Sequence, residues 1–242
     1  MPGRAYIGTS GWNYPAWRGD FYRGVPQRRW LAHCARHFDS VEINATFYCQ
    51  PKVEILHRWR DETPAGFRFS AKAHRFITHV RRLRDPAAGV ARERALLSGL
   101  APKLAVVLWQ LPASLQRDRA RLEALARALD DWPEVRHAIE FRHRSWFDDQ
   151  VADCLAAHGL ANCQSDAADW PLWDRVTTDL VYVRLHGHTR TYASRYHPAS
   201  LRAWAGRIRG WLAEDRDVYV YFDNDAEGWA PRDALALKGL LA

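Results

Sequence analysis

One pattern recurs along this chain and limits what it can fold into: short apolar runs that end on charged or amide side chains. Ser40 to Gln50, SVEINATFYCQ, opens as a buried strand with Val41 and Ile43 on one face, yet its alternate positions are Glu42 and Asn44. The pattern returns in FRFSAK ending at Lys72, VVLWQ at Gln110, AIEFR at Glu140 and Arg142, YVRLH at Arg184 and His186, and YVYFDN at Asp223 and Asn224. Polar groups gathered at the C-terminal ends of successive strands are the arrangement of a parallel α/β barrel, whose active site lies at that rim.

The intervening stretches supply the helices such a barrel requires. The first strand is Tyr6 to Gly11, where Gly8 and Gly11 permit close backbone approach. The turn WNYPAWRGDFY after it packs five aromatics around Pro15 and Gly19, and its expected role is a hydrophobic plug near one barrel mouth. Helical spacing then predicts helices over 28–38, 52–60, 87–100, 117–132, 148–158, 201–212 and 233–241, with further strands at 40–44, 67–72, 104–110, 137–142, 161–166, 180–186 and 217–222. The segment DWPLWDRVTTD lacks helical periodicity, so the unit near 167–179 is expected to have no full helix. Strands alternating with helices predict a single-domain α/β fold over 1–242, a TIM-type (β/α)8 barrel. An open doubly wound sheet is the alternative, but neither a GxGxxG nor a GxxxxGK loop is present.

Composition narrows the class further. Hydrophobic residues make up 48% of the 242, with 12 Trp, 9 Tyr and 9 Phe, which is ample for a large core and excludes disordered or collagenous chains. MPGRAYIGTSG has no apolar run long enough for a signal peptide, and no stretch reads as a membrane span, so a soluble, cytoplasmic protein is expected. Cys34, Cys49, Cys154 and Cys163 have no CxxC spacing and are expected to be unlinked thiols. The net charge of +7 favours anionic partners. Only four of the 35 basic residues are Lys, however, and many of the arginines fall on helix surfaces.

The motifs IGTSGWNYPAWRGDFY, VEINATFY, TPAGFRFSAK, LWQLP, EFRHRSW, VRLHG and VYFDNDAEGWAPRDAL occur in that order across almost the whole chain. Together they resemble the YecE-like family, domain of unknown function 72. The resemblance implies a TIM-type barrel in soluble microbial proteins and names no reaction. Carried over by position, the family's polar residues fall on Glu42, Asn44, Tyr48, Lys72, Gln110, Glu140 and Arg142. Toward the C-terminus they fall on Asp166, Arg184, His186, Tyr192, Tyr196 and Asn224. The chain departs from the family pattern at Asp223, where Asn is usual, and at His188, where Arg is common.

Strand parity places largely the same residues at the mouth. Glu42 and Glu140 approach from well-separated strands and could divide into acid and base if their environments separate their pKa values. His186 could assist as a general acid or base, and Asp166 is a further carboxylate candidate. Lys72, Arg142 and Arg184 would neutralise a substrate anion, with Trp12, Asn44, Tyr48, Gln110, Tyr192, Tyr196 and Asn224 as binding candidates. The expected function is a hydrolase or lyase acting on a phosphorylated or otherwise anionic small molecule. No cofactor and no resident metal are expected. A divalent ion is the alternative if His186 and His188 grip it together with Asp166 or Glu140. The competing interpretation of the charged residues is a structural Glu/Arg network filling a polar barrel. A nucleic-acid-binding barrel, possibly a phosphodiesterase, is a second function, supported by the basic charge, HRFITHVRRLR and the aromatics near the mouth. A scaffold with a relict site is a third. Oligomeric state is not encoded in any of these features.

Overall fold

The structure, a computed structural model, describes residues 3–242. Its strands are β1 (Ala5–Thr9), β2 (Ser40–Ile43), β3 (Arg68–Lys72), β4 (Leu104–Gln110), β5 (Arg136–Glu140), β6 (Leu160–Asp166), β7 (Leu180–Leu185) and β8 (Asp217–Phe222). All pair in parallel, in the order β1-β8-β7-β6-β5-β4-β3-β2. The seam between β1 and β2 is narrowed by a Ser10–Glu42 bridge, by Gly11 N–H donating to Glu42 C=O at 2.7 Å and by Asp39 N–H donating to Ile7 C=O at 3.3 Å. Gly8 is required there, because a Cβ would stand 1.8 Å from Ser40 O. The result is the expected (β/α)8 barrel, nearly closed.

Around it lie α1 (Trp30–His37), α2 (Ala45–Tyr48), α3 (Val53–Asp61), α4 (Ala87–Leu97), α5 (Arg119–Asp130), α6 (Asp149–Ala157), α7 (Pro198–Ala213) and α8 (Trp229–Leu241). No helix joins β6 to β7, as the lack of periodicity over 167–179 predicted. Two starts precede the expected ones by a turn or nearly so. Helix α7 begins at Pro198, whose fixed φ suits a first turn, with His197 Nδ1 accepting from Ala199 N–H. Helix α8 begins at Trp229, directly after Gly228 at φ +74°. The short α2 escaped sequence periodicity because a single turn has none to show.

Two apolar layers sandwich the strands. Outward-facing Ile7, Val41, Phe69, Trp109, Ile139 and Val183 join the helices in the larger core. Inside the barrel, Tyr6, Val106, Leu108, Ala138, Tyr182 and Tyr221 form a second cluster. The tyrosine hydroxyls begin a polar layer above it: Tyr221 OH pairs with Ser40 Oγ at 2.5 Å and with Ser70 Oγ at 2.7 Å. The aromatic turn packs sideways more than over the mouth. Its Tyr22 stacks on Trp30 of α1 at 4.4 Å, and Trp17 is buried between Tyr14, Phe21 and Tyr22. All four cysteines are free thiols. Among the described residues, no helix is long and apolar enough to cross a membrane.

Candidate active site

Inward parity carries Glu42, Ser70 and Lys72, Gln110, Glu140, Ser165, and Tyr182 and Arg184 to the C-terminal end of the barrel, and Ser10 and Asp223 follow β1 and β8 there. Arg184 is the hub. Its Nε and Nη2 reach Glu42 at 2.7–3.1 Å, Nη2 also reaches Ser10 Oγ and Asp223 Oδ2 at 2.9 Å, and Nη1 reaches Glu140 Oε2 at 2.9 Å. Arg184, Glu42 and Glu140 have no solvent exposure. Ionic groups so buried persist only when each is paired and hydrogen-bonded, and here the pairing is dense. Tyr182 OH donates to Glu42 Oε2 at 2.7 Å, and Ser10 Oγ donates to Glu42 Oε1. Arg142 Nε donates to the remaining Glu140 oxygen at 2.7 Å.

The cations overcome desolvation. Burial alone would raise Glu140, but Arg142 and Arg184 hold it well below the usual carboxylate range. Burial likewise opposes ionisation of Asp223, and the Arg184 charge holds that carboxyl low. Glu140 is therefore not the raised, protonated acid of a glycosidase-like division. Asp225 beside them is driven the other way, with burial and the Asp223 charge pushing it well above the ordinary range.

His186 is wholly buried. Its Nε2 faces Arg184 Nη1 at 3.3 Å, and because arginine has no lone pair to offer, Nε2 is the acceptor and the proton sits on Nδ1. Nδ1 lies 3.0 Å from Asp223 Oδ2, out of line for a good hydrogen bond. Burial and the Arg184 charge lower the imidazole pKa, so the ring is neutral and enclosed in this arrangement. Gly187, at φ +105°, turns the chain, and His188 swings out to within 3.5 Å of Asp166. The two imidazoles therefore do not form the shared-face pair that the HxH spacing suggested.

Three further candidates lie away from this cluster. Asp166 is on the outer parity of β6, beside Trp204 Nε1 at 3.3 Å. Outward Asn162 donates to Trp173 O and Arg175 O, and Gln164 accepts from Arg207. With an extended segment and not an apolar helix covering β6, its outer face is polar, and the inward residues are Ala161, Cys163 and Ser165. Tyr196 is fully buried, its OH accepting from Gly187 N–H at 3.1 Å and donating to Asp166 O at 3.4 Å. Asn224 Nδ2 donates to Ser194 O and Asp233 Oδ2, tying the β7–α7 loop to α8. Both are struts of the rim. Gln110 is also buried, donating to Leu111 O at 2.6 Å.

Above the buried cluster is a more open layer. Lys72 is 7% exposed, its Nζ 4.1 Å from the centre of the Phe47 ring. Among the described residues no carboxylate lies within ion-pair distance of it. Arg142 stacks 4.2 Å from the Trp170 ring and donates to Tyr192 OH at 3.1 Å. Tyr192 is 42% exposed and packs edge-on against His186. Asn44 donates to Ser10 Oγ at 2.6 Å, while its Oδ1 is buried without a partner. Sequence parity missed Ser10, Ser165 and Trp170. Tyr182 was within its reach, two residues before Arg184 on the same strand face.

Beside the mouth, Asn44 also borders a cleft of about 1080 Å³ lined by Trp12, Tyr48, Arg28, Arg29 and Arg36 among others. Tyr48 is 69% exposed there, and Trp12 meets Trp59 edge-on at 4.9 Å. Both aromatics thus belong to this cleft and not to the charged floor.

Comparison with known proteins agrees with the fold and the motifs. The UPF0759 protein YecE of Escherichia coli K12 is 36% identical over 143 residues, a match spanning 59% of this chain and half (50%) of that protein's length. The UPF0759 protein YunF of Bacillus subtilis is 26% identical over 98% of this chain and 94% of its own. A crystal structure of a DUF72 family protein from Thermotoga maritima superposes with a TM-score of 0.89 at 27% identity, covering 98% of both chains. The family model described as "Protein of unknown function DUF72" matches residues 6–242, and the chain belongs to that family.

Proposed function

We propose that the barrel mouth binds a phosphorylated or otherwise anionic small molecule and acts on it by proton transfer, as a hydrolase or lyase. The observation that carries this is the layering. Glu42 and Glu140 have no exposure and Asp223 has little, and all three are paired with Arg184, whereas the phenol of Tyr192 and the guanidinium of Arg142 reach nearer solvent and Lys72, itself 7% exposed, has no ion-pair partner among the described residues. An incoming phosphate or carboxylate meets positive charge first, and it can replace Glu140 as a partner of Arg142. Glu140, so released, is an ionised base. Lys72, lowered to about 8 by burial and by Arg184, is the matching acid near neutral pH.

A thermal-shift screen against sugar phosphates, nucleotides and oxo acids tests the reading. At a concentration about 100 times Kd, a ligand stabilises by about 2.7 kcal/mol. For a chain of this size that is a rise of roughly 5–10 °C. The shift should vanish in Arg142→Ala. Anions that fail to raise Tm, or that do so equally in this variant, would refute an anion site at the mouth.

The nucleic-acid reading has its own observation, the cleft beside the mouth. Among the described residues, Arg28, Arg29 and Arg36 have no carboxylate within ion-pair distance, and Tyr48 offers an exposed ring. Residues of HRFITHVRRLR are partly committed elsewhere, Arg81 to Asp85 and Arg82 to Ser114 O. Three phosphate contacts would give a log–log salt slope of about −2 for a single strand. Fluorescence titration with a short oligonucleotide at two salt concentrations separates this from salt-insensitive binding of a small anion.

A further inference from the structure

The chain has two buried lysines, and their surroundings differ. Lys103, 9% exposed, is a structural cation: its Nζ donates to Arg60 O at 2.5 Å, Thr63 O at 2.6 Å and Thr63 Oγ1 at 3.1 Å. Three donors have three acceptors. Lys72, equally buried, has none of this among the described residues. Its Nζ lies over the face of Phe47, with Arg142 and Arg184 on the barrel side. The backbone beneath it is fixed, since Lys72 O accepts from Thr46 Oγ1 at 2.7 Å. The three carboxylates are engaged by Arg184, and Glu140 by Arg142 as well, so none pairs directly with Lys72; the charges of Glu140 and Glu42 offset only in part the burial and the Arg184 charge that favour its free amine.

An amine without a counter-ion, at a strand end in the mouth and beside other cations, is the environment that makes lysine nucleophilic. We propose that Lys72 condenses with the carbonyl group of its substrate to form an imine, while Arg142 holds a carboxylate or phosphate on the same molecule. This rests on the anion site proposed above and names its substrate class: a carbonyl compound bearing an anionic group, such as an oxo acid or a phosphorylated sugar in open form.

The chemistry balances without a cofactor. The Lys72 lone pair attacks the carbonyl carbon, a C–N bond forms, and the proton shed by the nitrogen passes to the carbonyl oxygen to give a neutral carbinolamine. Loss of that hydroxyl as water, with one further proton, leaves the C=N bond as an iminium. The iminium then accepts the electron pair of an adjacent C–H or C–C bond. Glu140, ionised and freed from Arg142 by the substrate's anion, is placed to take the proton released. The enamine so formed takes a proton back at carbon, and water then adds to the regenerated iminium and returns the carbonyl and the free amine.

Reductive trapping on the intact protein tests this without knowing the natural substrate. The protein is incubated near pH 7.5 with glyoxylate, a carbonyl carrying a carboxylate, and cyanoborohydride, which reduces the imine to a stable carboxymethyl amine. Peptide mapping then gives the labelling rate at each of Lys52, Lys72, Lys103 and Lys238. The free-amine fraction alone favours Lys72 over a lysine at the reference value by on the order of 10²-fold. A rate at Lys72 at least tenfold above Lys52 is the expected result, with Lys72→Met losing that label and keeping the others. A rate no higher than that of Lys52 would overturn the proposal.

Acetaldehyde, which has no anion, separates the two ideas. If Arg142 seats the anion, glyoxylate outpaces acetaldehyde at Lys72, and Arg142→Ala erases that preference. Fast labelling without preference would keep the reactive amine and remove the anion site. Anion-dependent thermal shifts with slow labelling would keep the anion site and remove the imine.

Discussion

Arg184→Met is the most informative perturbation of the buried cluster. The substitution fills much of the same volume but removes the guanidinium that touches Glu42, Glu140 and Asp223 at 2.7–3.1 Å. Breaking a buried ion pair by deleting one partner costs about 3–5 kcal/mol. Three carboxylates lose a partner here, but they can take up protons, and Glu140 keeps Arg142, so we expect a loss of about 4 kcal/mol at pH 7. That corresponds to a fall in Tm of roughly 8–16 °C. The pH dependence distinguishes this from simple loss of packing. In the unsubstituted protein Glu140 and Asp223 lie below their ordinary range, so their stabilisation is complete above the unfolded carboxylate pKa, about 4. It drains away as pH falls through the folded values. In Arg184→Met, burial of Asp223 has lost the guanidinium that opposed it and its pKa rises, while Glu140, still held by Arg142, rises less. The folded state now binds protons first, and stability falls as pH rises through that window. The deficit should therefore be smaller at pH 5 than at pH 7 in urea titrations followed by circular dichroism. Adding Glu42→Gln should restore at least about 1 kcal/mol, because one uncompensated charge is gone. A deficit under about 1 kcal/mol, or one that grows on acidification, would refute the hub role of Arg184.

Lys72→Met should stabilise the protein at pH 7. The amine sits at about 8 when folded against 10.5 in its model state, so the unfolded chain binds more protons between those values and the parent protein gains stability as pH rises across them. The gap is at most about 3 kcal/mol and should close by pH 10.5, read as the Tm difference between parent and variant. Glu140→Gln leaves Arg184 with Glu42 and Asp223, so unfolding free energy should fall by only about 1–3 kcal/mol while turnover is lost. It should also tighten anion binding several-fold, because the carboxylate competing for Arg142 is neutralised; calorimetry reporting weaker binding would count against that competition. Gly8→Ala forces a Cβ to 1.8 Å from Ser40 O at the β1–β2 seam. We expect a loss of about 3 kcal/mol or more in the same urea assay, and a neutral outcome would mean that the seam opens freely.

The barrel was readable because its signal is repeated: each strand carries apolar residues at alternate positions, and each helix buries one face of Trp, Leu or Ile. Parity also placed Glu42, Lys72, Glu140 and Arg184 at one rim correctly. It failed at β6, where LANCQSD has no strongly apolar face and the covering helix is missing. There the polar residues point out, and the small ones point in. The division between floor and ceiling was not legible either. Glu42 and Lys72 are both polar residues at inward strand ends and both are buried, but one is paired with Arg184 and the other has no ion-pair partner among the described residues. Tyr196 and Asn224 share the motif pattern of binding residues, but the distant partners that make them struts, Asp166 and Asp233, come from other parts of the chain.

Charge balance joins the structural network to the proposed chemistry. Glu42, Glu140 and Asp223 face Arg184, Arg142 and Lys72, while His186, its pKa lowered by burial, is neutral. With Lys72 protonated the cluster is neutral overall; with the amine free it carries one negative charge. Asp223 supplies the third carboxylate and so helps the ammonium form against desolvation. A bound anion near Arg142 adds to this and favours protonation, whereas a carbonyl at the same amine removes the neutral form by reacting with it. On the proposed chemistry the network and the site would act as one device: pairing around Arg184 fixes the charges, and the lysine without an ion-pair partner would exchange protons or form the bond.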